Sequence, residues 1–596
     1  MSGPGDTDPD GLGDGTFSYG FSEGFEDEEV DERAGDDPGE ASYADPGDSP
    51  SRRSASGNRR DRRDRRAAAD GLAGGSRRGG GSGSGAGTGV GRGGGQAGPP
   101  VSRLATIAVI IAVVALSAFI DRSSKPSNSA AVAASLSTAM PLSSPAAALS
   151  SSWFCAGPTG SPGHLADGRL VVANATSRSL TGTVRFIPSS GTPTTHNVMV
   201  GASGSLVIPE PVLGSGDYLG AVVELDGGHA AVQQVVSGTE GTSSSACATA
   251  GSNSWYFPAG TTQENSNLTL SLLNPFPSDA IADLSFTTEQ GQEDPQDFQG
   301  LVIPAGTMVG LDLGSHLRDR ASVATTVTLR VGELAAFETE TVQPQTSAQK
   351  AVEPAGSVPW SPGVALTLGT PSPGTSWWWP SGAAASGDNE QYVMYNPTNT
   401  VAQVSLGVDL DQGSADPFQV TVQPFSVAVV TSNTESRIPL GIGHAAWLRS
   451  TNGVGVVAER VVMAISPSSQ TGLAEVMGSR LQAGQWLVPG DADTDTVNPT
   501  LVVYNPGTTS VTVSINALAP PPSSTSTSSS SGTASGAASP GFGRRTVTVQ
   551  PGQRYVLSPS SAGGLLVAAS GQVVVEGDTS PAHGIGIDAA IGVPLS

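Results

Sequence analysis

A Trp-led block returns four times in this chain: Trp153-Phe154-Cys155-Ala156, Trp255-Tyr256-Phe257-Pro258, Trp377-Trp378-Trp379-Pro380 and Trp486-Leu487-Val488-Pro489. Behind each block an apolar run ends in Asn, at Asn174, Asn274, Asn396 and Asn505, which stand 21, 19, 19 and 19 residues beyond the Trp. Pro follows the last three Asn residues and Ala175 follows the first. About 28 residues later a second turn separates two β-branched runs, at Val200-Gly201-Ala202, Ile303-Pro304-Ala305, Val422-Gln423-Pro424 and Val549-Gln550-Pro551. The fourth copy reaches that turn only after a Ser-rich insertion. Marks that stay in phase restrict the fold to tandem copies of one unit.

The unit reads as short strands. In the first copy Leu170-Val171-Val172 and Thr183-Val184-Arg185-Phe186 flank the Asn turn, where Asn bonds its own backbone and a following Pro fixes φ. Late hairpin tips fall at Asp226-Gly227-Gly228, Val331-Gly332, Asn452-Gly453 and Ser570-Gly571. Six or seven alternating strands per copy predict a two-sheet antiparallel sandwich. Composition agrees, with 78 Gly, 44 Pro and only 14% charged residues in 596. The expected fold class is all-β, with four tandem antiparallel β-sandwich (Ig-like) repeats after a disordered N-terminal arm and one transmembrane helix.

Charge is −24 overall, which argues against nucleic acid as a partner. Residues 1–50 hold 16 Asp/Glu and one Arg, whereas residues 51–103 hold 12 Arg and three Asp. This arm, 1–103, cannot bury enough apolar surface to offset chain entropy. Its Arg run suits anionic lipid headgroups, or it sets membrane topology alone. Leu104 to Ile120 is an uninterrupted apolar run, so 104–120 is expected to be a membrane span. The Arg residues before it predict a cytoplasmic N-terminus and an extracytoplasmic C-terminal region in a single-pass cell-membrane protein. A cleaved signal peptide is the rival reading. A Ser/Ala/Pro stalk, 121–150, then leads to repeats 151–250, 251–374, 375–483 and 484–596, the last carrying a Ser-rich loop, 522–540.

The only cysteines, Cys155 and Cys247, bracket the first repeat. They read as a disulfide, which needs an oxidising compartment; two buried thiols are the alternative. Trp255-Tyr256-Phe257-Pro258-Ala259-Gly260, Leu272-Leu273-Asn274-Pro275 and Val456-Val457-Ala458-Glu459-Arg460-Val461-Val462-Met463 resemble a repeat of uncharacterised membrane-anchored or secreted actinobacterial envelope proteins, a family catalogued as a domain of unknown function. The resemblance spans about 151–596, and the first repeat departs from it most. It implies location and architecture and no activity.

No catalytic constellation emerges. The six histidines lack metal-ligand spacing. Asp491, Asp493 and Asp495 alternate like the start of a calcium loop, but Val497 and Val502 stand where such a loop continues. Glu459-Arg460 reads as an exposed or interface ion pair. Trp378 is the one candidate for ligand contact, because alternation turns Trp377 and Trp379 toward the core. Its counterparts are Phe154, Tyr256 and Leu487, and core packing or packing against a neighbouring repeat is the preferred reading over a ligand platform. The expected function is a non-catalytic, membrane-anchored envelope protein forming an extended β-repeat rod for scaffolding. No cofactor or metal is expected, and partners are envelope proteins or, alternatively, cell-wall polysaccharide gripped by exposed aromatics.

Overall fold

One buried asparagine per repeat ties the two recurring turns together. A computed structural model gives the structure of residues 139–157, 167–211, 218–345, 360–385, 388–465, 471–490, 497–519, 543–559, 563–581 and 585–596. Asn274 is fully buried; its amide donates to Ser278 O (2.9 Å) inside its own turn and to Ile303 O (3.0 Å) at the second turn. Asn396 does the same to Thr400 O and Val422 O, and Asn505 to Thr509 O and Val549 O. The fixed spacing of the two marks therefore reflects a physical bond between them.

The tryptophans work in parallel. Trp255, Trp377 and Trp486 are buried, and their indole N–H groups donate to Leu334 O, Val456 O and Val573 O at 2.9, 3.0 and 3.0 Å. In the first repeat the corresponding carbonyl, Ala230 O, accepts instead from the Ser143 hydroxyl at 2.7 Å.

The first repeat contains β1 (Ser151–Gly157), β2 (Asp167–Asn174), β3 (Leu180–Pro188), β4 (Thr194–Val200), β5 (Gly204–Pro209), β6 (Leu219–Leu225), β7 (Ala230–Gly238) and β8 (Gly241–Ala246). One antiparallel sheet has the order β1-β6-β3-β4 and the other β5-β2-β7-β8. Eight strands form where six or seven were expected. The order recurs: in the third repeat Ser376–Trp379, His444–Ser450, Ala402–Leu410 and Phe418–Val422 make the first sheet, and Ser426–Thr431, Asp388–Asn396, Val457–Ile465 and Thr471–Met477 the second. In the fourth, one long strand, Leu565–Pro581, runs through both sheets. The described residues are thus nearly all β, in antiparallel sheets, with no α-helix among them.

The repeats close into a ring, which corrects the expected extended rod. β8 lies between its counterparts Gly363–Leu368 and Asp588–Ile591, and Thr471–Met477 touches both of those, so the four last strands surround one axis. The outward residue of each Trp strand packs into the next repeat: Phe154 into the second core, Tyr256 against Tyr395 and Val457 of the third, and Trp378 into the fourth. Leu487 of the fourth repeat enters the core of the first. Close backbone approach seals that last seam: a Cβ on Gly241, at φ +120°, would lie 2.8 Å from Gly586 Cα. The axial cavity is only about 80 Å³, room for a few waters.

Two further expectations change. Residues 139–145, assigned to a stalk, belong to the ring: Ser143 N donates to Pro594 O (3.0 Å), and Ser596 Oγ donates to Ser143 O (2.7 Å). The single-pass localisation is also corrected. No helix among the described residues is long and apolar enough to cross a membrane, and the nominated span, 104–120, lies outside them. The arm 1–103, the Ser-rich loop 522–540 and Asp491, Asp493 and Asp495 also lie outside the described residues.

Candidate functional site

Trp378 is 9% exposed and sits among Ala445, Trp486 and Leu501, so its face is covered by the fourth repeat and it offers no platform to a ligand. Cys155 and Cys247 form a disulfide inside the core of the first repeat, tying β1 to the residue just after β8.

The polar chemistry lies instead at the seams, in strands that are otherwise apolar. At the seam of the third and fourth repeats, Glu390 and Tyr392 project from Asp388–Asn396, His444 opens its own strand, and Arg460 comes from Val457–Ile465. All four are buried. His444 Nε2 lies 3.0 Å from Glu390 Oε2 and 3.0 Å from the Tyr392 hydroxyl. Burial opposes ionisation of Glu390, but His444 and Arg460 outweigh it and hold the carboxyl down at about 2. Arg460 crosses the seam and donates to Glu576 Oε1 at 2.7 Å, while Glu576 Oε2 accepts from Ser381 N at 3.0 Å. Burial, only partly offset by Arg460, pushes Glu576 up, and its neighbour Asp578 moves up for the same first reason. Burial thus favours the neutral form of both carboxyls, and Arg460 works against it.

Of Glu459-Arg460, Arg460 makes the expected interface ion pair, with Glu576 across the seam, and Glu459 takes no part in it. Strand alternation sends the two side chains to opposite seams: Arg460 to the fourth repeat, and Glu459 back to the second, where it accepts from Thr367 Oγ1 at 3.1 Å. There it joins Glu338, Glu340 and Glu475. Glu338 accepts from Thr325 Oγ1 (2.6 Å) and Glu340 from Thr261 N (2.9 Å). Burial raises all four, Glu475 to about 8, and for Glu338, Glu340 and Glu459 mutual repulsion with Glu475 adds to it. Burial therefore favours the neutral, hydrogen-bonding form of these acids. The sequence signal was available: Glu338 and Glu340 interrupt Ala335–Val342, whose residues are otherwise apolar or hydroxylated.

Beside the Glu390–Arg460 network lies a cavity of about 330 Å³ between the third and fourth repeats. Asp388, Glu390, Arg460 and Asp578 line it, with Val462 and Ala464 as apolar floor. No cluster of His, Cys, Asp and Glu suited to a metal ion occurs among the described residues.

The model of DUF5719, a family of unknown function, matches residues 224–365. That stretch begins within β6 and runs through the second repeat into its last strand, Gly363–Leu368. No curated protein matches the chain.

Proposed function

We propose that the ring is a non-catalytic interaction scaffold: four Ig-like β-sandwich modules locked together, presenting their outer strands to protein partners. Ring closure is the observation that supports this reading. It occupies Phe154, Tyr256, Trp378 and Leu487 in module-to-module packing and leaves the open sheet edges on the outside. Those edges carry exposed apolar side chains, Met199 and Val302 on one kind of edge strand and Val429 and Val556 on the other. Exposed edges with apolar side chains are docking surfaces for other chains.

A photo-crosslinking amino acid at Val302 or Val429, in cells of the native host, tests the proposal. Discrete protein adducts at both positions, and none from the covered position Trp378, are expected. Absence of adducts at both outer positions would reject the scaffold reading. The alternative of polysaccharide binding through exposed aromatics has lost its named residue, since Trp378 is covered.

A further inference from the structure

We propose that the cavity between the third and fourth repeats binds a neutral polyhydroxylated ligand of monosaccharide size. The proposal is independent of the scaffold reading and rests on which polar atoms the fold leaves unpaired. Arg460 is 3% exposed, yet its Nε and NH1 make no hydrogen bond. On the acceptor side, Asp578 Oδ1 and Asp388 Oδ1 also lack a hydrogen-bond donor, and Glu390 Oε1 faces Arg460 Nε only at 4.0 Å, beyond hydrogen-bond distance. All four residues line the same cavity. Leaving such groups buried without hydrogen-bond partners is costly, and here donors and acceptors line one cavity.

Charge selects the class of ligand. An anion would meet the carboxyls of Asp388, Glu390 and Asp578, and a simple cation would meet the guanidinium of Arg460. A hydroxyl group both donates and accepts. Neighbouring hydroxyls on one ring can accept from Arg460 while donating to the adjacent carboxylates, with no net charge to desolvate. The hydrocarbon face of a sugar ring would rest on Val462 and Ala464. Half-buried Thr500 and exposed Asn498 add further groups able to do both. The cavity volume of about 330 Å³ falls within the range of small-molecule sites. Sequence alone could not reveal this site, because its walls come from residues far apart in the chain, joined only by ring closure.

The test uses the full chain with glucose, galactose and N-acetylglucosamine as probes, in saturation-transfer NMR followed by calorimetric titration. Saturable binding of at least one probe is expected. Thr500→Trp, which fills the cavity, should abolish it, and Asp388→Asn should weaken it about tenfold by removing one charged acceptor. Near-UV circular dichroism reports whether each variant keeps the ring; Asp388→Asn is isosteric at a partly exposed position and serves if the Trp variant does not fold. Failure of all three sugars to bind the wild type overturns the proposal. So does binding that is unchanged in a folded variant, or displacement of the sugar by an equal concentration of acetate or methylammonium.

Discussion

Asn396 engages its single amide in four hydrogen bonds, donating to Thr400 O and Val422 O and accepting from Thr398 N and Thr398 Oγ1. Truncating it strands buried backbone carbonyls, so Asn396→Ala should destabilise the protein by about 3 kcal/mol, read as a lower urea midpoint. The Glu338, Glu340, Glu459 and Glu475 group gives a different signature. Their folded-state proton affinity is raised, so between the unfolded carboxyl value and the folded one the native state holds protons that the unfolded chain has released. Stability from this group is complete below about pH 4.5 and is lost as pH rises through the folded values, near 8 for Glu475. Glu390, held low, adds no slope in that window. The melting temperature should fall as pH rises from about 5 to 9, and Glu475→Gln should flatten the decline. A slope unchanged in that variant would remove Glu475 from the account. At this scale the sequence was informative where a residue type recurs in phase, as with Asn and Trp. For the acids it marked only Glu338 and Glu340, which interrupt an otherwise apolar or hydroxylated strand, and it left open which module they face.

Strands and hairpins were legible because they obey local rules: alternation, an Asn turn, a Gly at the tip. The seams were legible only as a register: Phe154, Tyr256, Trp378 and Leu487 align as outward residues suited to packing on a neighbouring repeat, but differ too much in size to say which repeat each meets. Their common role appears once each is seen to enter the next repeat. Leu487 is fully buried in the first repeat's core, so Leu487→Asp places an unpaired charge there. This variant should unfold or open the seam between fourth and first repeats, seen as faster hydrogen exchange in both repeats while the second is spared. The disulfide acts within one element pair. It closes a 92-residue separation, and Cys155→Ser should cost about 4 kcal/mol by loop entropy. A reductant should produce the same loss in the wild type, read by thermal melting.

At the scale of the whole molecule, four marks in phase specify how many modules there are and say nothing about whether the fourth meets the first. Closure is a property of the seams. It can be trapped covalently: a Cβ on Gly204 would lie 3.6 Å from Ala519 Cβ, suitable for a disulfide between residues of the first and fourth repeats. Gly204→Cys with Ala519→Cys should form an intramolecular bridge, visible as faster migration on a non-reducing gel, and an open string of modules would give none. Closure also means that Ser143 is bonded to Ser596, 453 positions away in sequence. The ring thus has no natural first module. A circular permutant that joins residue 596 to residue 139 and opens between the first and second repeats would keep every seam and move the longest-range pairing from the fourth–first seam to the first–second seam. The same final contacts would then be reached from a different chain order, so a changed folding rate at unchanged stability would trace to connectivity alone.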